Sequence, residues 1–107
     1  MVRKRRLTIA RGAARDLAEA RRWLTQPGAG GNAARRLAAL GTAVRDLREH
    51  PCRWPKGAHA GVRERHVEGY RIAYEIMPDT GDDATAGDVT VLRVFGPGQD
   101  RTDPRER

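Results

Sequence analysis

The sequence predicts a small α+β domain: an N-terminal strand, then an antiparallel helical hairpin packed on a small twisted antiparallel β-sheet. Three observations carry that expectation. Two segments repeat apolar residues at three- and four-residue steps, the period of a helix face. Later segments are β-prone and alternate apolar with polar residues, the period of a strand. Turns rich in glycine and proline separate them. The 107 residues suit one domain, with a basic arm at 1–6 and a polar tail at 102–107. A chain of this length buries only a modest core.

The first strand is 7–9, Leu-Thr-Ile. Ala14, Leu17, Ala20 and Leu24 then form the apolar stripe of a first helix, with Arg15, Asp16, Glu19 and Arg22 largely outside it. Gln26, Pro27 and Gly28 end that helix, because proline has no amide donor and glycine loosens the backbone. Residues 28–31 are a turn, and the Asn32 side chain is placed to accept a free N–H as a cap. The second stripe is Ala33, Leu37, Leu40, Val44 and Leu47; Arg35, Arg36, Arg45, Arg48 and Glu49 lie off it, and Pro51 ends the run. Two such helices joined by a short glycine turn pack as a hairpin.

Residues 52–61 are loop, and 62–67 form a charged, alternating strand. Glu68 and Gly69 make a tight turn. Tyr70, Ile72, Tyr74 and Ile76 then alternate with Arg71, Ala73, Glu75 and Met77, so one face of this strand is apolar. Residues 78–87 are an acidic loop expected to be mobile. Residues 89–95 are the most β-prone run and suit a central strand. Trp23 and Trp54 are expected as packing residues, Cys52 as a small buried group, and Gly96 and Gly98 as turn formers. One helical layer covers one face of the sheet and leaves the other open.

The formal charge of +7 favours polyanionic partners: nucleic acid, ribosomes, acidic proteins or anionic membrane. The excess is nearly all arginine beside abundant alanine and glycine, a bias that a GC-rich genome also produces. The charge therefore sets a preference and names no partner. Cys52 is the single cysteine, which excludes an internal disulfide and makes a reducing cytoplasm the simplest compartment. No apolar segment follows the basic start, so neither a signal peptide nor a membrane span is expected. His50, His59, His66 and Cys52 lack a metal-ligand spacing. No metal and no other cofactor is expected.

The order of elements and several short motifs together resemble the RelE/ParE toxin superfamily. The motifs are Leu47-Arg48-Glu49-His50-Pro51 at the end of the hairpin, then Val62-Arg63-Glu64, Gly69-Tyr70-Arg71-Ile72-Ala73-Tyr74 and Val91-Leu92-Arg93-Val94-Phe95-Gly96. The resemblance, order of elements included, reaches from about Leu7 to Arg101. The resemblance implies the toxin of a bacterial type II toxin–antitoxin pair, held silent by a cognate acidic antitoxin. It implies two alternative targets. RelE-like members enter the ribosome and cut mRNA as metal-independent endoribonucleases. ParE-like members poison DNA gyrase without catalysis. Ribosome-associated mRNA cleavage is the leading expectation, the gyrase reading its alternative. A non-toxic nucleic-acid-binding module is the reading from outside the family.

An mRNA interferase must activate a ribose hydroxyl, stabilise charge on the phosphate and protonate the leaving oxygen. Arg71, on the side of its strand away from the apolar face, is the first candidate for phosphate contact; a solvated strand charge is the bland reading. Arg101, after the last strand, is a second cation. His66 has the chemistry for proton transfer near neutral pH and shares a face with Glu64, itself a candidate base or an ion-pair partner. Arg63, Arg65, Arg71, Arg93 and Arg101 are the candidate nucleic-acid contacts. Val62 and Glu64 stand where RelE-like enzymes carry lysines, and no tyrosine or histidine of the RelE type follows the last strand.

Overall fold

A computed structural model describes residues 5–97 and 103–105. The elements run β1 (Leu7–Ile9), α1 (Arg11–Thr25), α2 (Ala33–Asp46), a 3-10 turn (Pro51–Arg53), β2 (Arg63–Val67), β3 (Tyr70–Met77) and β4 (Asp88–Phe95). They form a four-stranded sheet in the order β1-β4-β3-β2.

The expected helical hairpin is present, with one shift of register. Ala13, Ala20 and Leu24 are the buried residues of α1, Leu17 is half-buried, and Ala14 is exposed. The stripe thus begins one residue earlier than the spacing suggested. Gly28 and Gly30 take positive φ, +84° and +100°, where the chain reverses. Asn32 occupies the N-cap position of α2 but makes no capping hydrogen bond through its side chain. The backbone closes that turn instead: Ala33 N–H donates to Gly30 O and Arg36 N–H to Asn32 O. Along α2, Ala33, Leu40, Val44 and Leu47 are buried as the period requires. Pro51 opens the 3-10 turn, and its carbonyl accepts the Tyr74 hydroxyl at 2.6 Å.

β3 sorts its side chains as its alternation predicts. Tyr70, Ile72, Tyr74 and Ile76 join Leu40, Val44 and Leu47 in the main core. Arg71 and Ala73 face the other way. The β2–β3 turn is two residues, Glu68 at φ +50° and Gly69 at φ +84°, the double positive φ that matches the twist of paired strands. Arg35 grips the Glu68 carboxylate through both amino groups, which ties this turn to α2.

The sheet is mixed, not wholly antiparallel. β2–β3 and β3–β4 are antiparallel, whereas β1 runs parallel to β4, with Leu7 opposite Val89 and Ile9 opposite Val91. A two-residue turn and the 78–87 loop join β2, β3 and β4 as sequence neighbours that reverse at each step. No such turn links β1 to its neighbour, so β1 is free to join the edge in the other sense. A bulge offsets β4, because Ala73 pairs with Arg93 while Tyr74 pairs with Val91. Leu92 is the extra residue. It switches the alternation, so Val89, Val91 and Val94 all reach the main core while Phe95 lands on the opposite face.

That opposite face is only partly open. Val62, Ala73 and Phe95 form a second, smaller buried cluster there, with Leu92 at its margin. Arg105 donates to Ala60 O at 2.8 Å, and Pro104 is buried, so the 103–105 turn folds back over this side. The acidic loop 78–87, expected to be mobile, is pinned at several points. Arg5 donates to the carbonyls of Asp83, Ala86 and Gly87, and also to that of Arg48. Asp83 accepts the Cys52 N–H at 2.7 Å. Arg5, assigned from sequence to the basic arm, is buried. Among the described residues no helix is long and apolar enough to cross a membrane.

Candidate functional surface

Four of the candidate residues fall on or beside the face away from the helices. Glu64 lies opposite Ala73, and His66 opposite Arg71, so Glu64, His66 and Arg71 share that face. Arg71 Nη1 donates to Glu64 Oε2 at 3.0 Å, and both side chains are more than nine-tenths buried. The Arg71 guanidinium also stacks over Phe95, 4.5 Å from the ring centre. His66 is exposed, with Nε2 4.0 Å from Glu64 Oε1. Arg93 lies over the same Phe95 ring at 5.0 Å, yet its head reaches round the sheet edge to α1. There Nε and Nη2 grip both oxygens of Asp16 at 2.6 and 3.1 Å. Asp16 also accepts the Val94 N–H at 2.8 Å. Gly12 permits this approach, since a Cβ there would lie 2.8 Å from Arg93 Cδ.

Arg63 and Arg65 point to the helical side, in register with Tyr74 and Ile72. Arg63 is buried; its Nε and Nη2 bind Asp79 at 2.8 and 3.0 Å, and Nη1 donates to the Cys52 and Trp54 carbonyls. Arg65 donates to Ala43 O at 3.0 Å and stacks on Trp54 at 4.3 Å. Arg101 lies outside the described residues.

The electrostatics follow from these contacts. The Arg63 hydrogen bonds hold the Asp79 carboxyl below its ordinary range. The Asp16 hydrogen bonds push Arg93 further up. Burial raises the Cys52 thiol and, far more strongly, the Tyr74 phenol. Among the described residues no three His, Cys, Asp or Glu side chains form a group able to hold a metal ion.

Two surface grooves are built mainly from residues that were not site candidates in the sequence, with Arg93 at the second as the exception. One, of about 580 Å³, runs between α1 and the end of β4, lined among others by Ala20, Trp23, Leu24, Tyr70, Val94 and Pro97. Trp23 is 59% exposed at its rim, so it is not the packing residue expected: it sits one step ahead of buried Leu24 and no described residue covers it. This groove offers an apolar seat to a protein side chain. The other groove, of about 560 Å³, is lined by Arg11, Arg15, Leu92, Arg93 and Arg105. A signal for it lay in the four-residue spacing of Arg11 and Arg15, which puts both on one side of a helix.

A family model described as the ParE toxin of the type II toxin–antitoxin system parDE matches residues 7–100. The chain belongs to this family. It is therefore the toxin of a toxin–antitoxin pair, and an antitoxin is its cognate partner. The toxin shares its fold with a chain of the solved "Chromosomal ParDE TA system from P. aeruginosa". The two are 16% identical, superpose with a TM-score of 0.64, and align over 88% of this chain and 97% of that one. No curated protein matches the toxin.

Proposed function

We propose that the toxin arrests growth by binding DNA gyrase in the ParE manner, without cutting RNA. One observation carries this reading: the described sheet arginines are already engaged inside the fold. Arg71 pairs with Glu64, Arg93 with Asp16 and Arg63 with Asp79, while Arg65 donates to Ala43 O. A phosphate in the transition state needs cations free to meet it. Drawing Arg71 away would strand the Glu64 carboxylate in a buried site, a penalty of roughly 3–5 kcal/mol. His66 remains as an exposed titratable side chain with Glu64 as its nearest carboxylate, but it has no free cation from the sheet set beside it. The exposed Trp23 and its groove suit a mode of action through protein contact. Gyrase, and hence the site of action, is cytoplasmic.

The test uses the purified toxin in two assays, DNA supercoiling by gyrase and cleavage of mRNA on programmed ribosomes. The expected result is blocked supercoiling, intact mRNA and an unchanged effect for His66→Ala. Ribosome-dependent cleavage that falls about a hundredfold or more in His66→Ala, the usual scale for loss of a proton-transfer group, would overturn the reading in favour of an mRNA interferase.

A further inference from the structure

We propose that the groove between the first turns of α1, the β4 bulge and the 103–105 turn binds the phosphate backbone of nucleic acid through Arg11 and Arg15. Of the arginines lining it, Arg93 is neutralised by Asp16, and Arg105 lies near Glu75 and Asp103. Arg11 and Arg15 are exposed and make no hydrogen bond or ion pair among the described residues. Among the described residues no carboxylate lines the groove. The two uncompensated cations therefore face one concave surface.

Stability does not account for their placement. Cations in the first turns of a helix oppose its dipole, and like charges four residues apart repel. α1 has no acidic residue in its first turn to offset them and no side-chain cap. An anion in the groove relieves both conflicts. Guanidinium groups bind phosphate oxygens through two parallel hydrogen bonds. Four residues of helix advance about 6 Å, similar to the gap between neighbouring phosphates of one strand. The two arginines are therefore spaced to meet phosphates of one strand.

The groove favours nucleic acid over an acidic peptide. Peptide recognition rests on an apolar anchor seated in a pocket, and the apolar seat of this molecule is the separate groove at Trp23. Among the described residues the arginine groove offers as apolar side chains Ala10, the half-buried Leu92 and the buried Pro104. The contact carries no base readout, so binding is independent of sequence. This inference does not depend on the gyrase reading.

The experiment measures fluorescence anisotropy of a labelled duplex DNA titrated with the whole toxin over a series of KCl concentrations. Arg11→Gln/Arg15→Gln keeps the long stems and removes only the charges; circular dichroism checks its fold. A control, Arg45→Gln/Arg48→Gln, removes equal charge at and just beyond the C-terminus of α2, outside the residues that line the groove. Each lost phosphate contact lowers the slope of log K against log salt by about 0.9. The Arg11/Arg15 variant should therefore lose about 1.8 from the slope, and the control much less. No binding at low salt, or an equal loss in the control, would overturn the proposal. So would poly-glutamate displacing the duplex at equal charge concentration, which would make the groove a carboxylate site.

Discussion

Arg71 and Glu64 face each other across β2 and β3, Nη1 to Oε2 at 3.0 Å, on the side of the sheet that carries no helix. The pair is buried beneath the 54–62 loop, where Gly57 sits so close that a Cβ would lie 2.4 Å from Glu64 Cδ. Removing one partner of a buried pair leaves the other charge uncompensated. Glu64→Ala should destabilise the toxin by about 3 kcal/mol, while Glu64→Leu/Arg71→Met should cost less than either single change. Gly57→Ala should be harmful in the natural sequence and nearly silent beside Glu64→Ala. Urea unfolding of the full mutant cycle checks this; additive effects would mean that Gly57 and Glu64 are not coupled.

Arg5 satisfies four backbone carbonyls, those of Arg48, Asp83, Ala86 and Gly87. A planar fork of donors makes this possible, and an ammonium on a flexible stem cannot copy it. Arg5→Ala should lower stability by about 3 kcal/mol, and Arg5→Lys should recover only a minor part. Amide exchange in 78–87 should speed up in both variants before the sheet is affected. Equal stability of Arg5→Lys and the natural protein would show that charge alone suffices.

Asp16 joins α1 to β4 through Arg93 and the Val94 N–H. Asp16→Ala should cost about 3 kcal/mol, since it strips a charged partner and a buried amide acceptor together. Asp16→Asn keeps an acceptor and should fall between. Hydrogen exchange at the Val94 amide is the direct readout, expected to rise most in Asp16→Ala.

The pH dependence has an acid and an alkaline limb. Hydrogen bonds from Arg63 hold Asp79 below its unfolded value of 3.8. Its folded form binds protons less readily, so its contribution is present above that value and is lost as pH falls through the lower folded pKa. Asp79→Asn should flatten the acid limb of a stability–pH curve. Burial raises the Tyr74 phenol. Its contribution is complete below the unfolded tyrosine pKa of about 10 and fades as pH rises above it. Tyr74→Phe should flatten the alkaline limb while losing about 1 kcal/mol at neutral pH with the Pro51 hydrogen bond.

Periodicity made the hairpin and the two faces of β3 legible in the sequence, because a stripe such as Leu40, Val44 and Leu47 has few other uses. Contacts between distant segments left no such trace. Nothing local shows that β1 joins β4 in parallel, or that Leu92 is a bulge. The acidic loop reads as mobile until Arg5 is placed beneath it. Alternation put Arg71 on the correct side of its strand, but burial depends on Glu64, Phe95 and the loop above them. Arg63, Arg65, Arg71 and Arg93 stand on the sheet and have partners within the fold; Arg11 and Arg15, without a side-chain partner among the described residues, stand on a helix that reads as scaffold.

The parallel pairing of β1 with β4 also dictates the order of assembly. Leu7–Ile9 leaves the ribosome first and waits until the last strand has been made. The hairpin and the β2–β3–β4 ribbon form from near neighbours, but β1 joins them late, since such distant pairing closes slowly. A translation product halted before Asp88 lacks the strand that β1 pairs with. The four-stranded sheet is thus complete only after residues 88–95 have been made.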